Sequence, residues 1–139
     1  AGLLACPMSG SRQPVTAEGF ARRQQFMKMD GRAVFKWAIR LAEENIMAVV
    51  ARAGLSLDQI DLFVLHQANA RILEGIRTAL GVPAEKMFMN LDRYGNTSSG
   101  SIPLALDEAW RLGRIGSEST VVICGFGGGL AWGTAVWRL

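Results

Sequence analysis

The stretch Asp61-Leu62-Phe63-Val64-Leu65-His66-Gln67-Ala68-Asn69-Ala70-Arg71-Ile72-Leu73 changes its periodicity midway, and that change decides the fold. Its first five residues are a largely apolar run of strand length, the pattern of a strand buried on both faces. From Asn69, a residue suited to capping a helix, apolar positions recur at three and four: Ile72, Leu73, Ile76 and Leu80, with Gly81 as the stop. A strand that feeds a helix in this way is the unit of an α/β layer. His66, the only histidine in 139 residues, falls at the C-terminal end of that strand. Side chains emerge into a crevice at such strand ends in α/β sheets.

Upstream, Val34, Trp37, Ala38, Leu41, Ala42, Ile46, Val49, Val50 and Ala53 form one apolar stripe. They predict a long helix from Gly31 that Gly54 stops, in a position where positive φ is usually needed. Residues 17–29 are expected to add a short helix. Residues 1–16, with Pro7, Ser9, Gly10, Ser11 and Pro14, read as a loop. Downstream, Met87-Phe88-Met89 reads as a short strand and residues 92–100 as a loop. Leu104, Leu106, Ala109, Trp110 and Leu112 mark a helix closed by Gly113, with Pro103 tolerated near its start. Thr120 to Cys124 and Leu130 to Trp137 read as two strands joined by Gly127-Gly128-Gly129. The expected order is helix, strand, helix, strand, helix, strand, strand, which implies an α/β fold whose sheet closes with a hairpin.

A chain of 139 residues, half of them apolar, fits one globular domain with a real core rather than disorder. The longest apolar stretch, Gly125 to Trp137, is glycine-broken and too short to span a membrane. The net charge of +3 gathers at Arg22, Arg23, Lys28, Arg32, Lys36 and Arg40, with Arg71 and Arg77 on a later helix. Such a face suits an acidic protein or a phosphorylated ligand. No nucleic-acid motif or aromatic–basic interleaving accompanies it, so nucleic acid is not an expected partner. Cys6 and Cys124 lack CxxC spacing and neighbouring histidines, which argues against a zinc site or a disulfide framework and for a reduced, cytoplasmic setting.

Taken singly, the chemistry-bearing residues are ambiguous. A lone histidine at a strand end is most often structural. Asn96 sits in the glycine-flanked Tyr94-Gly95-Asn96-Thr97-Ser98-Ser99-Gly100, which also contains a glycosylation sequon that a cytoplasmic protein would not use. The glycines after Phe126 fail both the GxGxxG and the P-loop spacing, and read instead as a tight turn whose N–H groups approach another atom closely. Yet a neutral imidazole and a carboxamide can each donate one hydrogen bond to a single oxygen. That suits chemistry which builds negative charge on a thioester carbonyl.

Together the segments resemble the β-ketoacyl-acyl carrier protein synthase III family of the thiolase-like superfamily. The matching pieces are Met29-Asp30-Gly31-Arg32-Ala33-Val34-Phe35-Lys36, His66-Gln67-Ala68-Asn69-Ala70-Arg71-Ile72 and Asp92-Arg93-Tyr94-Gly95-Asn96-Thr97-Ser98-Ser99. Ser101-Ile102-Pro103-Leu104-Ala105-Leu106 and Phe126-Gly127-Gly128-Gly129-Leu130-Ala131-Trp132-Gly133 complete the set, in the family order. The resemblance implies the C-terminal half of a thiolase-like layered sandwich, a mixed sheet with helices on its faces, lacking the first strand of that half. Residues 1–139 would be this C-terminal domain, with 1–28 a loop and short helix and 29–139 the α/β core.

The resemblance also implies an acyltransferase of fatty-acid initiation. An acyl group passes from coenzyme A to a cysteine, and malonyl carrier protein is decarboxylated to an enolate that attacks it. By resemblance, His66 and Asn96 hold the enolate oxyanion. Phe126 and Gly128 belong to the active-site turn, Gly128 through its backbone N–H. Gly31, Phe35, Asn69 and Ile72 line the coenzyme A and pantetheine tunnel, and Lys36 and Arg71 dock the acyl carrier protein. Acyl-CoA and malonyl carrier protein are substrates, and neither a metal nor a permanently bound cofactor is implied. The implied partners are acyl carrier protein, the N-terminal half and a second copy in a homodimer, with no membrane.

The chain departs from the family at the nucleophile. The family's cysteine lies in the N-terminal half, in an Ala-Cys-(Ser/Ala)-Gly turn at a helix start. Ala5-Cys6-Pro7-Met8-Ser9-Gly10 matches that turn only superficially, because Pro7 follows the cysteine and no amphipathic helix succeeds it. Cys124 falls within a predicted strand and reads as a small buried hydrophobe. The chain alone is therefore expected to be inactive. Alternatives are a starter-unit condensing enzyme of secondary metabolism, an acyltransferase of the same family, or a non-catalytic half that binds carrier protein or coenzyme A.

Overall fold

Every residue of strand β3 (Leu62–Leu65) is buried, as a strand covered on both faces must be. The computed structural model describes residues 2–8 and 10–139; Ala1 and Ser9 of the expected N-terminal loop lie outside the described residues. Preceding β3 are a two-residue strand β1 (Leu4–Ala5), a short helix α1 (Ala17–Ala21), a two-residue strand β2 (Lys28–Met29) and the long helix α2 (Gly31–Arg52). After it come α3 (Ala70–Leu80), α4 (Leu91–Tyr94), α5 (Ser101–Arg111) and the hairpin strands β4 (Thr120–Gly127) and β5 (Ala131–Arg138).

The main sheet is mixed, in the order β3-β4-β5. Strands β3 and β4 run parallel, from Leu62 beside Val121 to Leu65 beside Cys124. Strands β4 and β5 are antiparallel, from Thr120 opposite Arg138 to Gly127 opposite Ala131. Alternation along the strands sorts side chains into two cores. Phe63, Leu65, Val122 and Cys124 meet α2 through Ala38, Ala42, Ile46 and Val50, and α3 through Leu73 and Ile76. Leu62, Val64 and Val121 face the other way, onto Ala105 and Ala109 of α5 with Ile115 and Phe88. The sheet is thus sandwiched between α2 and α3 on one face and α5 on the other. The α/β class with a mixed sheet and helices on its faces is as expected. Among the described residues no helix is long and apolar enough to cross a membrane.

Capping explains where the helices begin and end. Asp30 accepts the Ala33 N–H at α2, and Asn69 accepts the Arg71 N–H at α3. Gly54, just beyond α2, has φ +70°, and Gly81, which caps α3, has φ +66°. Both therefore occupy the left-handed region that ends helices at low cost.

The structure differs from the sequence expectations at three places. Residues 17–29 do not form one helix. It ends at Ala21, Arg23 turns back at φ +56°, and Lys28–Met29 pair with Leu4–Ala5 instead. Met87-Phe88-Met89 is not a strand. Met87 forms a single parallel bridge with Phe63, after which the Gln67 side chain takes over the bonds a ladder would make. Residues 92–100 are not wholly irregular, since α4 and a 3-10 turn at Ser98–Gly100 lie in or across them. The last helix runs Ser101–Arg111, with Pro103 in its first turn as expected, where a missing N–H costs nothing.

Candidate active site

β3 delivers His66 to the site. The alternation that sends Leu62 and Val64 toward α5 sends His66 the same way, and its N–H extends the parallel ladder to the Cys124 carbonyl at 2.8 Å. There the imidazole Nδ1 lies 2.7 Å from Oγ of Ser101, the first residue of α5. The Phe126 ring, from β4, stands edge-to-face against the imidazole at 5.4 Å and 81°. Trp37 of α2 backs Phe126 in the same manner at 6.3 Å. Half-buried in this setting, the imidazole has its pKa lowered from the ordinary 6.5, chiefly because burial disfavours the charged form. A hydrogen bond with the Ser98 backbone opposes part of that shift.

Asn96 arrives from the turn after α4. Its Oδ1 accepts the Ser98 N–H at 2.9 Å, an Asx-type bond that commits the carbonyl side of the carboxamide. The Nδ2 group remains as the donor. His66 and Asn96 line one cleft of about 970 Å³. Its walls also include Gly31, Phe35, Asn69, Arg71, Ile72, Phe126 and Gly128. Nine of the ten residues singled out from the sequence therefore meet in one cavity; Lys36 is exposed on α2 and is not among the lining residues.

The hairpin turn supplies the remaining backbone. Gly129 and Leu130 adopt φ +73° and +57°, which folds the chain sharply between Gly127 and Ala131 and leaves Gly128 exposed at the cleft wall. Asn69 has a divided role, with Oδ1 held by the α3 cap and Nδ2 left over at the cleft. Neither cysteine is part of this cleft. Cys124 is buried and receives the Thr134 hydroxyl at 3.2 Å; burial pushes its thiol pKa up, the reverse of what a nucleophile needs. The Cys6 thiol donates to the Gln25 carbonyl at 3.2 Å.

Sequence reading missed two residues at this site. Ser101 touches the imidazole directly, and Gln67, buried beside it, bonds to Leu65, Phe88, Asn90 and Ser101. A polar side chain following a fully apolar strand was the available signal for Gln67. Leu4 and Met27, brought to the cleft by the small β1–β2 pair, carried no signal at all, and Met29 stood out only as the start of a resemblance segment.

Comparison with known proteins gives consistent matches. Residues 50–139 match the family described as "3-Oxoacyl-[acyl-carrier-protein (ACP)] synthase III C terminal". The chain is 53% identical over 136 residues to the β-ketoacyl-[acyl-carrier-protein] synthase III of Rhodopirellula baltica, covering 98% of this chain and 39% of that protein. It is 46% identical over 134 residues to the enzyme of that name in Desulfitobacterium hafniense, covering 96% of this chain and 40% of the relative. Among solved structures, the synthase III of Thermus thermophilus superposes with a TM-score of 0.80 at 46% identity, over 83% of this chain and 36% of that one. The Pseudomonas aeruginosa structure gives 0.84 at 34% identity, over 98% and 39%. The chain thus spans about two fifths of the length of the curated relatives it matches.

Proposed function

The chain belongs to the 3-oxoacyl-[acyl-carrier-protein] synthase III family, and from that premise we propose that it supplies the enolate-stabilising part of a decarboxylative condensing site. The observation that carries this reading is the convergence of His66 and Asn96 on one cleft, where the imidazole and the Asn96 Nδ2 can both donate to a shared oxygen.

The chemistry follows from those donors. In a malonyl thioester held in the cleft, the bond between the α-carbon and the carboxylate breaks and carbon dioxide leaves. The electron pair stays with the thioester as an enolate, whose negative charge gathers on the former carbonyl oxygen. The His66 imidazole and Asn96 Nδ2 each donate to that oxygen. Donors already fixed before charge develops lower the barrier without reorganising, which is the strongest form of electrostatic catalysis. The enolate carbon then attacks an acyl thioester carried on a cysteine elsewhere in the complete protein, and the thiolate departs. The Gly128 N–H faces the acyl carbonyl of that second thioester. Phe126, packed against His66, keeps the imidazole half-buried, so it is neutral at neutral pH and donates through a defined N–H.

The rest of the cleft is suited to a long thiol-bearing arm. Gly31, Phe35, Asn69 and Ile72 form a largely apolar wall with one spare amide, in keeping with pantetheine from acyl-CoA or from acyl carrier protein. Exposed Arg71 and Lys36 give the cleft surroundings a basic character that would meet an acidic carrier. The test uses the full-length protein. His66→Ala should still accept an acyl group from acyl-CoA but lose malonyl decarboxylation. Equal loss of both half-reactions would refute the assignment.

A further inference from the structure

Besides the donors themselves, the cleft contains a buried polar relay that no apolar core would need. Ser101 is 2% exposed and Gln67 1% exposed. The Ser101 Oγ lies 2.7 Å from His66 Nδ1 and also accepts the Gln67 N–H at 3.2 Å. The Gln67 carboxamide donates to the Leu65 carbonyl at 2.9 Å and the Phe88 carbonyl at 3.2 Å, and accepts the Asn90 N–H at 3.1 Å. Asn90 donates in turn to Glu108 of α5 at 2.8 Å. These bonds fasten the strand end that carries His66 to the segment leading into Asn96.

From this geometry, and resting on the reading of His66 and Asn96 as paired donors, we propose that Ser101 and Gln67 are positioning residues that fix the imidazole tautomer and its place beside Asn96. A hydroxyl has one hydrogen to give. In this arrangement the Ser101 hydroxyl, which receives the Gln67 N–H, gives its own hydrogen to Nδ1, and the imidazole proton resides on Nε2. With the proton on Nδ1 instead, Ser101 Oγ would accept from the ring through its second lone pair, and the ring nitrogens would carry the opposite signature. Gln67 thus acts twice: its backbone orients the hydroxyl, and its side chain sets how far apart the two donor segments lie.

The charged side chains that share the cleft with His66 are Arg32 and Arg71, while β4 presents the Cys124 carbonyl and Phe126, and α5 presents Ser101. A hydrogen bond donated to Nδ1 favours the neutral ring, so its removal should raise the imidazole pKa. The experiment uses full-length protein with isotope-labelled histidine, the His66 resonance being identified by its loss in His66→Ala. Ser101→Ala should move the His66 titration midpoint upward and shift the ring nitrogens away from a pure Nε2–H signature. It should slow malonyl decarboxylation about tenfold or more while thiol acylation is kept, and Ser101→Thr should restore the wild-type midpoint. An unchanged midpoint, or equal slowing of both half-reactions, overturns the proposal. Should Ser101→Ala not fold, Ser101→Cys carries the same test, since a thiol of similar size is a weak donor and predicts the same upward move. The underlying reading fails separately, if His66→Ala and Asn96→Ala both decarboxylate as the wild type does.

Discussion

Replacing Asn96 by aspartate isolates a donor from everything else about the residue. Asn96 uses Oδ1 to accept the Ser98 N–H at 2.9 Å, and a carboxylate oxygen accepts the same bond. The turn should therefore keep its shape and the melting temperature should hold. What changes is the other side of the group, where two N–H donors become an acceptor. Loss of one oxyanion donor costs about 3 to 4 kcal/mol, or roughly 10² to 10³ in rate. Aspartate adds repulsion of the developing enolate, up to about 4 kcal/mol at 4 Å with an effective dielectric of about 20. Asn96 is exposed, so solvent screens much of that. Asn96→Asp should thus be at least as slow as Asn96→Ala in releasing labelled carbon dioxide from a malonyl carrier thioester, with both about 10² to 10³ below wild type. Acylation of the cysteine by labelled acyl-CoA, which needs no enolate, should proceed normally in both variants. Decarboxylation by Asn96→Asp within about threefold of wild type, in a folded protein, would refute the donor role, because that is under 1 kcal/mol.

The remaining expectations concern docking, stability and pH. Arg71→Glu should abolish binding of malonyl carrier protein, measured by calorimetry, without loss of stability, because Arg71 lies in the first turn of α3, where an acidic residue suits the helix dipole. Ile76→Ala, at a fully buried position between α3 and the sheet, should cost about 2 to 5 kcal/mol in denaturant unfolding. The His66 pKa is lower folded than its ordinary 6.5, so on acidification the unfolded chain takes the proton first. Stability from this residue is full above pH 6.5 and falls as pH drops from there through the folded value. His66→Gln should flatten that part of a stability-against-pH curve, and an unaltered slope would count against the assignment.

Much of this arrangement is legible in the chain because its elements announce themselves locally. The apolar run of β3, the stripe of α2 and the cap-to-glycine frame of α3 each depend on nearest neighbours and on one buried face. The elements misread are those settled by distant partners. Met87-Phe88-Met89 has the composition of a strand, but Gln67, about twenty positions away in sequence, takes the bonds that a longer ladder would have used. Residues 17–29 have the propensity for a longer helix, yet Lys28–Met29 are drawn off to pair with Leu4–Ala5.

The candidate site divides along the same line. The chemical types were fixed in the sequence: one histidine at a strand end, one asparagine in a glycine-flanked loop, and a glycine turn after Phe126. Their meeting in one cleft was decided by tertiary structure, because the parallel β3–β4 register sets the Phe126 ring against His66, and the start of α5 lands beside the imidazole. The groups that bond the imidazole are likewise invisible in one dimension. Ser101 lies 35 residues away in sequence, and a single hydroxyl hydrogen-bonded from both sides exists only once the layers have packed. Sequence determines which groups are available, since side-chain chemistry and short-range periodicity are local. Packing determines which partners each group meets, since hydrogen-bond competition among buried groups is not.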